Sequence, residues 1–243
     1  MIWTYQAIAK TIDHALLLPA MTEAELIAGC ALARSYDVAT VCIKPYAVSL
    51  AVAELQDSSV QVGTVVGFPH GGQATAIKVA EAIEAIEQGA REIDIVINIG
   101  LAVGGQWAQV AREIDQLTAA CHQRHAIIKV IFETSYLSDQ QKIELCRICG
   151  NIKVDYVKTS TGFGSAGATV SDIQLMRAHS PAHVRIKASG GIKNLDAAVN
   201  YVELGCDRLG TSRTAEILDE LGSQTGQPGR NTESKAASKD DTY

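Results

Sequence analysis

Two lysines each close a short apolar run and are each followed by hydroxyl residues and glycine. Lys158 lies in residues 155–162, Asp-Tyr-Val-Lys-Thr-Ser-Thr-Gly, and Lys187 lies in residues 184–191, Val-Arg-Ile-Lys-Ala-Ser-Gly-Gly. Lysine is depleted in strands and is rarely buried unless it is paired or has a chemical task. A second cation lowers the pKa of a nearby amine, as a Schiff-base nucleophile requires at neutral pH. We therefore interpret Lys158 and Lys187 as a candidate nucleophile and its cationic neighbour.

The two lysines are expected on adjacent strands, which lie about 4.8 Å apart in a sheet. At an effective dielectric near 20, two unit charges at about 5 Å repel by roughly 3 kcal/mol, enough to lower the pKa of one amine. The alternative is that each lysine pairs with a carboxylate and has a structural role. Asp13, Asp94 and Glu133 could be those partners, and the sequence alone leaves both interpretations open.

Short apolar runs alternate with amphipathic stretches along most of the chain. Near-continuous apolarity in the short runs is typical of buried parallel strands. We predict strands at Thr11–Leu17, Val38–Ile43, Val60–Gly67, Glu92–Ile97, Ala126–Phe132, Asp155–Thr159, Val184–Ala188 and Asp207–Leu209. We predict helices at Glu23–Arg34 (after Thr22 as N-cap), Tyr46–Leu55, Ala74–Gln88, Trp107–Arg124, Asp139–Cys149, Ser171–Ala178, Leu195–Leu204 and Thr214–Leu221. This alternation predicts an α/β fold, a (β/α)₈ TIM barrel, over residues 1–221.

An open, doubly wound sheet is the competing architecture. Residues 162–167, Gly-Phe-Gly-Ser-Ala-Gly, match the dinucleotide-binding fingerprint and follow a predicted strand. The acidic residue expected about 20 positions later is missing, and Lys187 stands there instead. The segment is therefore better interpreted as a loop that leads into a helix.

Composition and charge narrow the function classes. The 243 residues are 47% hydrophobic, and 21 basic against 27 acidic residues give a net charge of −6. That balance argues against a general nucleic-acid-binding surface, which is normally basic. No apolar run approaches the ~18–20 residues of a membrane span, and the first residues lack the pattern of a signal peptide. We therefore expect a cytoplasmic protein.

The six cysteines are expected to be free thiols. Cys146 and Cys149 form a Cys-x-x-Cys pair, but its helical spacing favours packing over redox or metal chemistry, and we predict no metal site. Residues 222–243 are polar and rich in glycine and serine, which predicts a flexible tail. Tyr243 ends that tail.

The carboxyl ends of the strands should carry the active site of such a barrel. Polar residues do occur near the predicted ends: Asp13, His14, Cys42, Lys44, Asp94, Asn98, Lys129, Glu133, Lys158 and Lys187. Gly-Gly pairs at 71–72, 104–105 and 190–191 also follow predicted strands. The last pair, with Gly210 and Ser212 after the eighth strand, predicts a phosphate site, because glycine lets backbone N–H groups approach an anion.

Several segments together resemble the deoxyribose-phosphate aldolase family, the DeoC class I aldolases that act through a lysine Schiff base. The segments are Ile-Asp-His-Ala-Leu-Leu at 12–17, Val-Cys-Ile at 41–43, Gly-Thr-Val-Val-Gly-Phe-Pro-His-Gly at 63–71, Glu-Ile-Asp-Ile-Val-Ile-Asn-Ile-Gly at 92–100, Lys-Val-Ile-Phe-Glu-Thr at 129–134, Val-Lys-Thr-Ser-Thr-Gly-Phe at 157–163, Ile-Lys-Ala-Ser-Gly-Gly-Ile at 186–192 and Arg-Leu-Gly-Thr-Ser at 208–212. They cover essentially the whole predicted domain.

The resemblance implies reversible aldol cleavage of 2-deoxy-D-ribose 5-phosphate to acetaldehyde and D-glyceraldehyde 3-phosphate, with no metal or other cofactor. It implies that Lys158 is the nucleophile. Lys187 would lower the pKa of Lys158 and take part in proton transfer, and Asp94 would move protons, through a water molecule. Asp13 and Lys129 would join the surrounding polar network.

The resemblance also implies the substrate contacts. Cys42 would line the acceptor-aldehyde side of the pocket. The phosphate and sugar contacts would come from Thr161, Gly162, Gly190, Gly191, Gly210 and Ser212. Tyr243 would fold back over the pocket and assist protonation of the enamine carbon. Arg213 departs from the small hydroxyl residue of some relatives and would be compatible with an anion.

Two other functions stay open at this point. One is a different phosphosugar enzyme on the same barrel, such as an isomerase or another Schiff-base aldolase. The other is a non-catalytic barrel that binds phosphosugars. The expected partners are small phosphosugars and aldehydes, with neither nucleic acid nor membrane, and a homodimer is the working expectation for the assembly.

Overall fold

Eight parallel strands close into a barrel in chain order, with β8 paired to β1. The computed structural model describes residues 3–225. The strands are β1 Ile12–Leu16, β2 Thr40–Ile43, β3 Gln61–Val66, β4 Glu92–Val96, β5 Ile127–Ile131, β6 Tyr156–Lys158, β7 Arg185–Ser189 and β8 Arg208–Thr211. The predicted TIM barrel is confirmed, and the open-sheet alternative is wrong because β1 and β8 leave no edge.

Helices surround the barrel and follow the predicted pattern. They are α1 Tyr5–Ala9, α2 Glu23–Ser35, α3 Val48–Glu54, α4 Thr75–Glu87, α5 Ile99–Val103, α6 Trp107–His122, α7 Asp139–Ile152, α8 Val170–His179, α9 Leu195–Glu203 and α10 Thr214–Thr225, with short 3₁₀ turns at Pro45–Ala47 and Thr134–Tyr136. Thr22 caps α2 as predicted, since its side chain accepts a hydrogen bond from the N–H of Glu25 and the Glu25 side chain bonds back to Thr22. Among residues 3–225, no helix combines the length and apolarity that crossing a bilayer requires.

The outward face of the strands forms the apolar core with the helices. Side chains alternate between the two faces of a strand, so Ile93 and Ile95 point outward while Glu92 and Asp94 point into the barrel. The outward residues belong to one continuous buried cluster that also contains Cys146 and Cys149 on α7. All six cysteines are free and buried. Cys146 and Cys149 therefore pack as core residues, as their helical spacing predicted.

The Gly104–Gly105 pair does not follow a strand, so that prediction is wrong. The Asn98 side chain accepts a hydrogen bond from the N–H of Leu101 at 3.1 Å and starts α5 directly after β4. The two glycines end α5, where Gly105 adopts a φ of 69°. Residues 162–167 form a loop between β6 and α8, as predicted. The last helix continues to Thr225, past the predicted Leu221.

His14 lies on the outer face of β1, away from the barrel mouth where we predicted it. Its Nδ1 lies 2.8 Å from Thr214 Oγ1 on α10, and its ring is 4% exposed. Burial lowers the pKa of His14 to about 4, although Glu216 opposes the shift. The histidine is therefore neutral in the folded protein at neutral pH.

This histidine makes folding pH-dependent. The pKa of His14 is lower in the folded than in the unfolded chain, so the unfolded chain takes up the proton first as the pH falls. Its contribution to stability is complete above pH 6.5 and is lost as the pH falls towards 4. We expect wild type to lose about 2.5 kcal/mol more unfolding free energy than His14→Gln between neutral pH and about pH 4.5. Urea unfolding at both pH values measures this difference, and equal losses in the two proteins would contradict it.

Candidate active site

Charged side chains fill the inside of the barrel at alternate strand positions. Lys158 and Lys187 are cross-strand neighbours on β6 and β7, which confirms their predicted adjacency. Asp94 on β4 is likewise the neighbour of Lys129 on β5. All four side chains are at most 2% exposed. Buried charges need partners, and these residues pair with one another.

Asp94 lies at the centre of the three lysines. Its Oδ1 accepts a hydrogen bond from Lys129 Nζ at 2.8 Å. Its Oδ2 accepts from Lys158 Nζ at 2.7 Å and from Lys187 Nζ at 2.8 Å. Because the last two nitrogens share one oxygen, they are held close together. Lys158 and Lys187 therefore pair with a carboxylate, as the alternative interpretation of the sequence expected, and are also close to each other.

A second layer of charges lies beneath Asp94, towards the amino ends of the strands. Arg208 on β8 contacts Asp13 at 2.5 Å and Glu92 at 2.9 Å. Lys129 contacts Glu92 at 2.6 Å, and Lys187 contacts Asp13 at 2.5 Å. Glu92 and Arg208 were not predicted as site residues from the sequence. Both could have been found by alternation, since each stands two residues before an inward-facing position, Asp94 or Gly210.

The charges of this network do not balance when every group is ionised. We call the seven side chains the charge cluster: Asp13, Glu92, Asp94, Lys129, Lys158, Lys187 and Arg208. Three carboxylates face four basic groups, so full ionisation leaves one positive charge in excess in a buried site. One neutral amine removes the excess. Arginine does not deprotonate in proteins, so that amine must belong to a lysine.

Lys158 is the lysine best suited to be neutral. Lys129 pairs with three carboxylates and Lys187 with two, whereas Lys158 pairs with Asp94 alone among residues 3–225. Although burial opposes it, the surrounding carboxylates raise the pKa of Lys187 and raise that of Lys129 well above its ordinary value. Burial lowers the pKa of Lys158; Asp94 opposes this shift and the charge of Lys187 adds to it. From the sequence we predicted that Lys187 lowers the pKa of Lys158. Burial is the larger cause.

The aspartates of the cluster stay ionised. Burial alone would raise the pKa of Asp94, but the charges of Lys129, Lys158 and Lys187 hold it well below its usual range. Burial likewise opposes the low pKa of Asp13, which Lys129, Lys187 and Arg208 maintain. Asp94 is therefore a carboxylate that can accept hydrogen bonds from every lysine of the cluster.

A cavity of about 130 Å³ opens above the cluster, between the loops that follow β6, β7 and β8. It is lined by all six residues predicted to contact sugar and phosphate, namely Thr161, Gly162, Gly190, Gly191, Gly210 and Ser212. Gly162, Gly190 and Gly191 adopt φ values of 87°, 85° and 79°, which side chains rarely tolerate. Lys193 and Arg213 add positive charge to the wall. The cavity therefore combines backbone N–H groups with cations, as an anion site requires.

Lys187 lies directly beneath Gly210, which lines this cavity. A methyl group placed on Gly210 would lie 3.2 Å from Lys187 Cε and 2.2 Å from Ser189 Oγ. Only glycine at this position avoids a collision with Ser189 and leaves room beside Lys187. A ligand whose anionic end occupied the loops could thus extend its other end towards the amines.

Cys42 points into the barrel from β2, beside Ala15 of β1, and is 3% exposed. Burial raises the pKa of its thiol, Asp94 raises it further, and the lysines oppose the shift. A thiol in this environment is neutral, which suits a lining role better than that of a nucleophile.

Besides His14 and Cys42, three polar residues predicted near the strand ends do not join the cluster. Lys44 donates to the carbonyl groups of Leu18 at 3.1 Å and Met21 at 3.0 Å. Asn98 caps α5, and the carboxylate of Glu133 binds Thr161 in place of a lysine. Tyr243 and residues 226–243 lie outside the described residues. Within residues 3–225, no three His, Cys, Asp or Glu side chains are grouped as metal ligands.

Comparison with known proteins agrees with this geometry. Residues 7–207 match the model of the DeoC/LacD family aldolases. The deoxyribose-phosphate aldolase of Rhodopirellula baltica is 48% identical over 93% of this chain and 94% of its own length. That of Treponema denticola is 43% identical over 86% of this chain and 97% of its own.

Solved structures show the same similarity. A putative deoxyribose-phosphate aldolase from Coccidioides immitis superimposes with a TM-score of 0.86 at 37% identity, covering 90% of this chain and 87% of that one. The deoxyribose phosphate aldolase of Aeropyrum pernix, described as a tetramer, gives a TM-score of 0.85 at 28% identity, covering 91% and 93% of the two chains.

Proposed function

The chain belongs to the DeoC/LacD family of aldolases, and on that premise we propose that it cleaves 2-deoxy-D-ribose 5-phosphate reversibly to acetaldehyde and D-glyceraldehyde 3-phosphate. The proposal rests on the lowered pKa and the position of Lys158. Lys158 is the amine with a lowered pKa in a cluster whose other two lysines have raised ones, and it ends β6, the strand that leads into a loop lining a cavity suited to phosphate. The names of the relatives support the same substrate.

The first chemical step joins the substrate to Lys158. Its neutral Nζ adds to the C1 aldehyde and forms a carbinolamine, which takes up a proton from solvent and loses water to give a protonated imine. Asp94, which accepts a hydrogen bond from Lys158 Nζ at 2.7 Å, takes up and returns the protons through a water molecule. The imine nitrogen then carries the positive charge that the neutral cluster lacked.

The second step breaks the C2–C3 bond. A proton passes from the C3 hydroxyl through water to Asp94, the bonding electron pair moves to the iminium to form an enamine, and D-glyceraldehyde 3-phosphate departs. Protonation of the enamine at C2 and addition of water then release acetaldehyde and restore the amine. Lys187, which shares Asp94 Oδ2 with Lys158, takes part in these proton transfers. Asp13 and Lys129 hold the cluster in place.

The phosphate end of the substrate rests in the cavity. We assign its contacts to the backbone of Gly162, Gly190, Gly191 and Gly210, with Thr161 and the hydroxyl of Ser212. Arg213 adds a cation, although its Nη1 lies 3.0 Å from Glu216 Oε1 and part of its charge is already satisfied. Cys42 lines the aldehyde side.

A direct assay tests the function. The purified protein is expected to convert 2-deoxy-D-ribose 5-phosphate to acetaldehyde and D-glyceraldehyde 3-phosphate in equal amounts, and to do so in the presence of a chelator. A different phosphosugar enzyme would convert another phosphosugar while leaving this substrate intact. A non-catalytic barrel would bind the phosphosugar without turnover.

Tyr243 lies outside the described residues, and its role is part of the proposal. We propose that its hydroxyl assists protonation of the enamine carbon. Deleting Tyr243 is expected to lower kcat by up to about 10²-fold and to leave the melting temperature unchanged, because the tail is too polar to stabilise a core. Tyr243→Phe is the matched control, since it keeps the ring and should lose as much activity. Wild-type kinetics in both variants would remove the tail from the mechanism.

We further propose that the protein is cytoplasmic and assembles as a homodimer. Six buried, unpaired cysteines suit a reducing compartment. Light scattering of the full chain tests the assembly. The division into a barrel over residues 1–221 and a tail over 222–243 also remains a proposal.

A further inference from the structure

We propose that Glu133 is a positioning residue for the phosphate end of the cavity: its carboxylate holds Thr161 and thereby sets the loop after β6 against the loop after β7. This inference rests on the proposed function and adds to it a residue that does not itself line the cavity. Within residues 3–225 the cavity is lined by Thr161 but not by Glu133.

Among residues 3–225, the carboxylate of Glu133 accepts hydrogen bonds from one residue, Thr161. Glu133 lies just past β5 and is 2% exposed. Both carboxylate oxygens accept from the backbone N–H of Thr161, each at 3.3 Å, and Oε2 also accepts the hydroxyl of Thr161. The same hydroxyl oxygen accepts the N–H of Phe163 at 3.0 Å. The N–H groups of Thr161 and Phe163, on either side of Gly162, are thus both fixed.

The backbone of Glu133 is itself unusual. Its φ of 56° and ψ of 65° lie in the left-handed region, which a residue with a long side chain rarely adopts. Such a conformation persists where the surroundings determine it, and it is common at functional sites. Here it aims the carboxylate of a β5 residue at the loop that follows β6.

Contacts run from Glu133 across the loop to the other side of the cavity. A methyl group on Gly164 would lie 3.1 Å from Glu133 Cδ, so loop and carboxyl are in close contact. Further along the loop, the N–H of Ala168 donates to the carbonyl of Ser189 at 3.0 Å, and Gly167 lies directly against Gly190. Movement of the loop would therefore displace Gly190, which lines the cavity.

The environment of Glu133 differs from that of the aspartates in the cluster. Asp13 and Asp94 bind lysines, whereas Glu133 accepts hydrogen bonds from Thr161. Burial raises the pKa of Glu133, while the hydrogen bonds from Thr161 and the charge of Lys158 oppose that shift. The role assigned to it is to orient a loop, with no proton transferred to the substrate.

Two variants of Glu133 distinguish positioning of Thr161 from proton transfer to the substrate. Glu133→Asn keeps a residue that tolerates the left-handed backbone, but its side chain is too short to hold Thr161. We expect it to raise KM for 2-deoxy-D-ribose 5-phosphate and Kd for inorganic phosphate by about 10- to 100-fold. Turnover of unphosphorylated 2-deoxyribose should change by less than about threefold. Glu133→Gln keeps an oxygen that accepts from Thr161 and should restore KM to near the wild-type value.

Thr161→Val removes the hydroxyl from the other partner. It should show the same KM defect, and combining it with Glu133→Asn should add little, because both remove one interaction. The inference is overturned when Glu133→Asn leaves KM and phosphate affinity unchanged. It is also overturned when Glu133→Gln loses as much kcat as Glu133→Asn, which would indicate proton transfer, or when both substrates lose equally.

Failure of the proposed function gives a different result. Wild-type protein would then not cleave 2-deoxy-D-ribose 5-phosphate at all. The calorimetric affinity for inorganic phosphate would still report whether Glu133→Asn weakens the anion site. An active wild type with unaltered Glu133→Asn would overturn the inference alone.

Discussion

Replacing Lys158 with leucine is expected to abolish cleavage of 2-deoxy-D-ribose 5-phosphate, with kcat falling by about 10⁴-fold or more. Without the ε-amine there is no imine and no electron sink for the C2–C3 bond. The substitution also leaves three cations facing three carboxylates in the charge cluster, so the barrel should remain folded. Phosphate binding should persist, because the loops of the cavity are untouched. Steady-state kinetics with calorimetry measures both quantities.

Lys187→Leu is the matched control for that experiment. While Lys158 is neutral, three cations balance the three carboxylates of the cluster. Removing Lys187 leaves only two cations, so protonation of Lys158 becomes more favourable and its pKa should rise. Activity of Lys187→Leu is therefore expected to increase with pH, whereas Lys158→Leu stays inactive at every pH. Substantial turnover by Lys158→Leu would contradict the assignment of the nucleophile.

Asp94→Asn should produce the second large loss, about 10²- to 10⁴-fold in kcat. The amide can still accept a hydrogen bond, but it cannot take up and return protons during carbinolamine formation and C–C cleavage. Removing the negative charge also takes away the group that opposes the lowered pKa of Lys158. The amine should therefore stay neutral and still react with aldehyde on long incubation.

The readout for Asp94→Asn is a comparison of two rates. Turnover of 2-deoxy-D-ribose 5-phosphate should be nearly lost while reduction by borohydride still traps acetaldehyde on Lys158. A variant that loses trapping and thermal stability together would indicate that Asp94 only holds the lysines in place.

The barrel could be predicted from the sequence because each strand is buried on both faces and is bounded by turn residues. The eight predicted strands match the observed ones to within two residues at each end. Helices α1 and α5 were missed, because five residues are too few to show helical periodicity.

Glu92 and Arg208 show where scanning for apolar runs fails. Glu92 was predicted as the first residue of a strand and Arg208 as the middle residue of one, but neither was considered as a site residue, although charged side chains continue into the barrel at every second position. The alternation Glu92–Asp94 was visible in the sequence. What it could not supply was how many charged groups from β1, β4 and β8 meet in one cluster.

Lys78 shows that burial alone does not identify a reactive lysine. It is fully buried on α4, and burial lowers its pKa. Its Nζ contacts Glu113 at 2.9 Å and the carbonyl of Val96 at 2.8 Å, between helices and outside the barrel. Lys158 differs because it lies inside the barrel at the end of the strand that leads into the cavity loop, in a cluster with one positive charge in excess.

Borohydride reduction in the presence of acetaldehyde, followed by peptide mass spectrometry, tests the central claim most directly. The neutral amine of Lys158 should carry the ethyl group alone, and Lys187 and Lys129 should remain unmodified because their pKa values are raised. An adduct on Lys187 or Lys129, or no adduct in an active enzyme, would contradict the account.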